Sequence, residues 1–518
     1  MAQAGGQIVG LVGALLLLSM AYATLPGDEA RGGEEDLVAG SPDWEARTSR
    51  PAEGSPLAFL GVAPDAAYAQ AVARLRQWAV VGPRPVRQQA LHSGGMTDCG
   101  CFIDPVVSNR RVPVADDMRS HIEVAEGARF LPQILLGTLA LESAVQGAIA
   151  VTVQLGEGVV ALRQERGEKF EAIRASLEPL QAQVDGVARA SPFPPSPFVA
   201  QAALGVSTVL LAALVEATDY PYVRLPYCMH YGFEVCGRIP DSGVFRQVDP
   251  NMTSAEFDRV YEEVMDPAAN LAWVDDLMHV LRDDAESVSG ARQTQLATLE
   301  ALTAKEISKG LVGQPMTREQ LLAQYGLRDS RGRVVGVRCR VMRRFLLLQP
   351  KPRAVDDAKT SLFNRVTRTY ETVSLPTPEH PALVAADFLR MAGEAGVAPF
   401  PLCLGRDDED AAFRRVPTAQ PEMTVVALYS PTRGEVVFHQ VIGHNFGLVS
   451  SALNFNQVSC FVSWVTASIF AVPLTNYFDD FIITDIEAAG SSGQDALRVV
   501  HDITGLMLLA DPFVLPSL

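Results

Sequence analysis

The run from Ala471 to Thr484 is apolar and β-prone, yet two adjacent aspartates, Asp479 and Asp480, stand in its middle behind Tyr477 and Phe478. This pattern reads as a β-hairpin with the acidic pair at its tip. Side chains alternate across a strand, so only one of two neighbouring carboxylates points squarely into a site while the other lies alongside. Asp479 is taken as the direct one. Alone, the pattern also fits an acidic turn between two strands.

Three segments upstream give that hairpin a context. Cys403 to Pro417 reads CLGRDDEDAAFRRVP, in which Phe413 follows Asp408 by five residues. Asp407, Glu409 and Asp410 crowd the same cluster, and Asp408 is preferred for its spacing to Ala412 and Phe413. The bland reading is a charged loop from Arg406 to Arg415. Met423–Tyr429 and Glu435–Ile442 are strand-like runs joined by Ser430, Pro431, Thr432, Arg433 and Gly434, a good hairpin turn. HNFGLVSSALNFNQ, His444 to Gln457, follows, and its Gly447 permits close backbone approach.

The third segment is RRFLLLQPKPRAVDD, Arg343 to Asp357, with Lys351 and Arg353 as residue types suited to phosphate oxygens. Arg328 to Arg368 carries twelve Lys or Arg against three Asp, in a chain of net charge −17. A basic island in an acidic protein suggests a phosphate-facing surface; the ordinary alternative is a solvated basic face.

In this order the four segments resemble the fingers hairpin, first catalytic motif, Gly turn and Tyr-x-Asp-Asp hairpin of reverse transcriptases, over Thr303 to Leu518. The resemblance implies an α+β fold: fingers and palm, an antiparallel sheet backed by helices, behind a mostly helical N-terminal region. It implies template-directed DNA synthesis, with Asp408, Asp479 and Asp480 binding two Mg²⁺ ions, or Mn²⁺ in their place. Lys351 and Arg353 would clamp the triphosphate, with Asp357 as framework acid. Phe413 would sit under the sugar and leave no room for a 2′-hydroxyl, selecting deoxynucleoside triphosphates. Tyr477, Phe446 and Gly447 would shape the nucleotide pocket. Asn445 replaces the family's Pro, which leaves the turn looser. The implied partners are an RNA or DNA template with its primer.

The resemblance stops early. After Asp480 there is room for one helix, about Gln494 to Leu509; Gly505, Leu506 and Met507 occupy the family's Gly-Trp-like turn, and no Lys follows Lys359. No thumb or ribonuclease H domain is expected, and with them goes processivity. The alternative function is therefore a catalytically inactive retroelement remnant, at most a nucleic-acid-binding module.

A similar string, Trp273, Val274, Asp275, Asp276 and Leu277, lies in helical spacing (Phe257, Val260, Tyr261, Val264, Leu271, Leu277, Val280, Leu281) and reads as the solvated face of a helix. Other expectations are an apolar segment over 1–25, read as a relic, buried segment, signal or anchor, and a flexible linker over 26–60. A helical region of unknown role covers 61–220 and a helical cap 221–302. The breaker Ser191 to Pro197 precedes the apolar stretch Val199–Val215, expected as one packed helix rather than a membrane span. An intracellular location, nuclear or cytoplasmic, is favoured. The seven Cys make no disulfide framework. Neither Cys228, His230 and Cys236 nor His92, Cys99 and Cys101 has zinc-module spacing. Asn251-Met-Thr253 is a formal glycosylation sequon.

Overall fold

Helices and small sheets alternate along the chain in a computed structural model that describes residues 56–60, 64–79, 162–173, 175, 195–250, 252–286, 290–373, 375–376, 380–394, 396, 400–409, 411–506 and 513–514. The fold is mixed α and β. Among the described residues the strands are β1 (Gly237–Arg238), β2 (Arg246–Gln247), β3 (Gly326–Arg328), β4 (Val334–Val337), β5 (Met342–Leu347), β6 (Arg353–Asp356), β7 (Thr367–Arg368), β8 (Glu371–Thr372), β9 (Leu402–Asp408), β10 (Val425–Ser430), β11 (Glu435–Gln440), β12 (Leu474–Tyr477), β13 (Asp480–Ile486) and β14 (Phe513–Val514). Two four-stranded sheets carry the argument. One has the order β11-β10-β5-β6, with β10 and β5 parallel; the other has the order β12-β13-β9-β14 and is antiparallel throughout.

The first sheet is backed by the helices Pro267–Glu286 and Gly290–Ser308. Val425, Ala427 and Phe438 turn inward onto Val274, Leu277 and Leu281 of the former. The Asp275 carboxylate on this helix accepts from Arg318 at 2.7 and 3.0 Å, so the acidic string around it is helical surface. The preceding helix, Ser254–Met265, starts in a capping box in which Thr253 and Glu256 satisfy each other's backbone N–H. That engages the third residue of the sequon; Asn251 lies outside the described residues.

The helix Val449–Phe470 is the centre of the second half. It is buried nearly all round, as expected of a helix without one apolar stripe. Its apolar residues Phe455, Phe461, Val462, Val465 and Phe470 join Phe481 and Ile483 of β13 in the main core. The N-terminal elements close this core: Tyr68, Val72 and Leu75 of the helix Ala66–Trp78, and Leu210 to Val215 of the helix Thr208–Ala217.

Two expectations are corrected here. The stretch Val199–Val215 is not one helix but two, Pro197–Ala202 and Thr208–Ala217, separated at Gly205 with φ +90°. The break combines a left-handed glycine and the Ser207 N-cap with a tertiary contact: Gly205 abuts Gly505, where an added Cβ would stand 1.8 Å from the Gly205 carbonyl oxygen, and Ser207 N–H donates to Thr504 O at 3.0 Å. After Asp480 the chain forms not only the helix Ser492–Thr504 but also β14, which pairs Phe513 with Arg406. Among the described residues no helix is long and apolar enough to cross a membrane. The apolar segment at 1–25, the His92, Cys99 and Cys101 group and most of 26–60 lie outside the described residues.

Candidate active site

β9 ends at Asp408 and β13 begins at Asp480, and the two are register partners on adjacent antiparallel strands. Tyr477 pairs with Asp480 across the β12–β13 hairpin, so Phe478 and Asp479 form its two-residue connection. Phe478 sits at φ +53°, the left-handed region that such tight hairpins demand and that an aromatic residue adopts only under strain. Glu409 N–H donates to Asp479 O at 3.0 Å and ties the tip to the end of β9.

Alternation along β9 sorts the acidic cluster. Asp407 is buried on the face of the helix Ser492–Thr504, where Arg498 approaches it at 3.5 Å. Asp408 shares the opposite face with Arg406. Glu409 faces His501 at 3.4 Å, and Asp410 lies outside the described residues. Asp480 Oδ1 accepts from Arg406 Nε at 2.9 Å and from Nη2 at 2.5 Å. Asp408 Oδ1, by contrast, is buried with no hydrogen-bond partner.

Burial and the neighbouring charges of Asp479 and Asp480 push the Asp408 carboxyl up to about 7. Burial, then Asp480 and Glu409, raise Asp479 to about 6, against the pull of Arg353. Arg406 is held more firmly protonated than usual: burial opposes this, but its bond to Asp480 and the charges of Asp480, Asp408 and Asp479 outweigh it. Asp408 and Asp479, whose charges meet, are the two carboxylates that Arg406 does not hold, and a divalent cation would be held by these two. Asp480 already has one oxygen, Oδ1, neutralised by Arg406, so a second ion would compete with that guanidinium. Among the described residues, accordingly, no three His, Cys, Asp or Glu side chains converge as a metal site.

Beside the carboxylates stands an aromatic wall. The short 3₁₀ turn Ala412–Arg415, entered through positive φ at Ala411 and Ala412, projects Phe413 against Phe455 (4.8 Å), Phe446 (5.2 Å) and Phe478 (6.1 Å), ring centre to ring centre. Tyr477 meets Phe478 edge-on at 5.5 Å. The Arg414 guanidinium lies over the Phe446 ring at 4.9 Å, a cation–π contact. His444, at the head of the Gly turn, donates from Nδ1 to Val416 O at 2.9 Å and accepts from Asn454 at Nε2. Burial drives its pKa down to about 3, so it is neutral.

The Gly turn is not loose. Asn445 Nδ2 donates to Asp356 Oδ2 at 3.0 Å, a bond the family's Pro would not make. Gly447, at φ +105°, is pressed against the Asp356 carbonyl at the end of β6, so its missing side chain is required by that contact. Asp356 is buried and pairs with Arg414 Nη2 at 3.1 Å and Arg344 Nε at 3.5 Å, whereas Asp357, the acid the resemblance singled out, accepts from the Thr360 N–H in a local turn. Glu306 closes the ring, accepting from Arg414 Nε at 3.1 Å and from Arg344. Burial works to raise the Glu306 carboxyl, but the charges of Arg414 and Arg344 win and hold it below the usual range. Two cations and two anions thus balance one another between the helix Gly290–Ser308, β5, β6 and the Phe413 turn.

β5 and β6 pair as a hairpin in which Leu347 faces Arg353, and Lys351 stands in its exposed loop. Part of the basic island around it is taken up on folding, while Arg328, Arg331, Arg333, Arg338 and Arg365 stay exposed. Arg344 is spent in the buried ring, Arg340 stacks on Trp273 at 4.9 Å, and Arg343 pairs with Asp284 at 2.6 Å. Lys351, Arg353 and Lys359 stay exposed. The Cys228 and Cys236 thiols are buried and pushed up to about 12 by that burial, as inert core residues.

Four residues escaped the sequence reading: Arg406, the paired Asp356 and Arg414, and Arg166. Arg406 was within reach, because it lies two residues before Asp408 and therefore on its face. Arg166 carried no signal. It is buried behind the sheet, donating to Asp485 at 2.5 Å, to Ser492 and to the carbonyls of Phe470 and Ala471. No protein-family model matches the chain, and no curated protein sequence matches it.

Proposed function

We propose that the chain is a reverse-transcriptase-like nucleotidyltransferase that extends a primer on a nucleic-acid template from deoxynucleoside triphosphates. The β12–β13–β9 sheet is the palm and the β5–β6 hairpin the fingers. The observation that carries the reading is the register of Asp408 against Asp480, beside an aromatic wall built from the other segments that the resemblance singled out. Arg353 supports it as well: its charge acts to lower the Asp479 carboxyl, so the hairpin that would hold a triphosphate is within electrostatic reach of that carboxylate.

Asp408 and Asp479 would hold the divalent ion. Such an ion lowers the pKa of the attacking 3′-hydroxyl and neutralises charge on the phosphates. The chain's own residues do the rest. Lys351 and Arg353 bind the triphosphate, the guanidinium fork of Arg353 engaging its oxygens in pairs. Phe413 closes the space beside the sugar C2′, and its edge contact with Phe446 keeps the ring from turning aside. The buried ring of Arg414, Asp356, Arg344 and Glu306 holds the hairpin and the wall in one orientation.

The test is primer extension by the purified chain on an RNA template with a DNA primer, Mg²⁺ and deoxynucleotides, beside Asp479→Ala. Extension that vanishes in the variant supports the reading. A folded protein that extends nothing, yet retains the primed template in a salt-dependent manner, favours the binding-module alternative.

A further inference from the structure

Arg406 and Asp408 are alternate residues of β9 and share one face of the sheet, onto which Asp480 projects from the neighbouring strand as the register partner of Asp408. A single guanidinium there has three carboxylates in reach of its charge, and it commits Nε and Nη2 to one oxygen of Asp480. Asp408 Oδ1 is left buried and bare. One carboxylate is therefore neutralised from within, and another still calls for a cation.

We propose that Arg406 is a resident counter-cation: it occupies the cation position at Asp480, so that the folded site takes one divalent ion on Asp408 and Asp479. A second ion enters only when the guanidinium leaves Asp480 for the phosphates of an incoming triphosphate. This rests on the nucleotidyltransferase reading and adds how its site is loaded. Exposure of the two side chains, 42% for Arg406 and 21% for Asp480, makes the pair exchangeable, because water screens it and can replace either partner. The fork of nitrogens that grips a carboxylate grips a phosphate equally well. A guanidinium on Oδ1 and a divalent ion compete for Asp480, since their charges repel and each weakens the other's hold on the carboxylate. Full loading is thereby coupled to arrival of the triphosphate.

The experiment is Mn²⁺ binding, counted by electron paramagnetic resonance on the full chain without nucleotide, for the natural protein, Arg406→Gln, Arg406→Lys and Asp408→Asn. The natural protein is expected to bind one Mn²⁺, lost in Asp408→Asn. Arg406→Gln should bind two, the second at least tenfold tighter than any second site in the natural protein. Arg406→Lys, which keeps the charge, should bind one, and it serves as the folded comparison if the Gln variant does not fold: two ions there would contradict the proposal. A single Mn²⁺ in Arg406→Gln, or two already in the natural protein, overturns the role of Arg406 and leaves the nucleotidyltransferase reading standing. No Mn²⁺ on any of the four proteins overturns the proposal, while the nucleotidyltransferase reading is decided by primer extension.

Discussion

The carbonyl oxygen of Asp356 lies 2.4 Å from where a Cβ on Gly447 would stand, so the Gly turn and the end of β6 are in backbone contact. Gly447 also has φ +105°, which L side chains rarely adopt. Gly447→Ala should therefore cost at least ~2 kcal/mol, from the unfavourable backbone region together with the displaced contact. Urea unfolding followed by circular dichroism measures it; a loss below ~0.5 kcal/mol, the range of ordinary surface changes, would contradict the geometry.

Arg414 and Asp356 make a second testable pair. Arg414→Met keeps the bulk over Phe446 but leaves Glu306 and Asp356 sharing Arg344 alone. Removing one partner of a buried ionic cluster costs roughly 3–5 kcal/mol, because the remaining charge is buried uncompensated. Adding Asp356→Asn to the variant should recover part of that loss. A double variant less stable than Arg414→Met would show that the ring is not balanced by charge.

The Asp408 carboxyl gives a pH dependence whose sign follows from its raised value, about 7 in the folded protein against ~3.9 in an unfolded chain. Between those values the folded protein holds a proton that the unfolded chain has released. The stability this group contributes is thus fully present below pH ~4 and is lost as pH rises toward 7. The slope stays well under ~1.4 kcal/mol per pH unit, since part of the group is solvent-screened. In melting curves from pH 5 to 8 the natural protein should lose ground to Asp408→Asn as pH rises. Mg²⁺ should raise the melting temperature more at pH 8 than at pH 5, and the opposite order would refute the assignment.

Phe413 tests the sugar wall. Phe413→Ala removes the ring that touches Phe446, Phe455 and Phe478 and opens the space beside the candidate nucleotide site. If the chain extends primers, the ratio of kcat/KM for deoxynucleotide over ribonucleotide should fall by at least tenfold, with ribonucleotide use rising in absolute terms. An equal loss of both activities would assign the ring to packing alone. Near-ultraviolet circular dichroism of the variant checks that the remaining rings keep their order.

Local chemistry was legible in the chain. The hairpin turn at Ser430–Gly434 and the helix under Trp273–Leu277 follow from patterns within a few residues, where turn residues and periodicity act directly on the backbone; the hairpin around Asp479 was also legible, but its connection is Phe478–Asp479 and not the acidic pair, since Asp480 already pairs with Tyr477. The break of Val199–Val215 had local signals in Gly205 and the Ser207 N-cap, but the packing of that break against Gly505 at the far end of the chain was not legible.

The sequence by itself determined which residues could carry charge, turn or pack at each position, and the order in which the acidic and basic segments come. Only the tertiary structure decided how the charges were spent. Arg344 and Arg414 went into a buried ring with Asp356 and Glu306, Arg406 onto Asp480, and Asp408 was left with a bare oxygen. The physical reason is that electrostatic partners are chosen by distance in space and by local burial, whereas sequence spacing fixes distance only along one strand or helix.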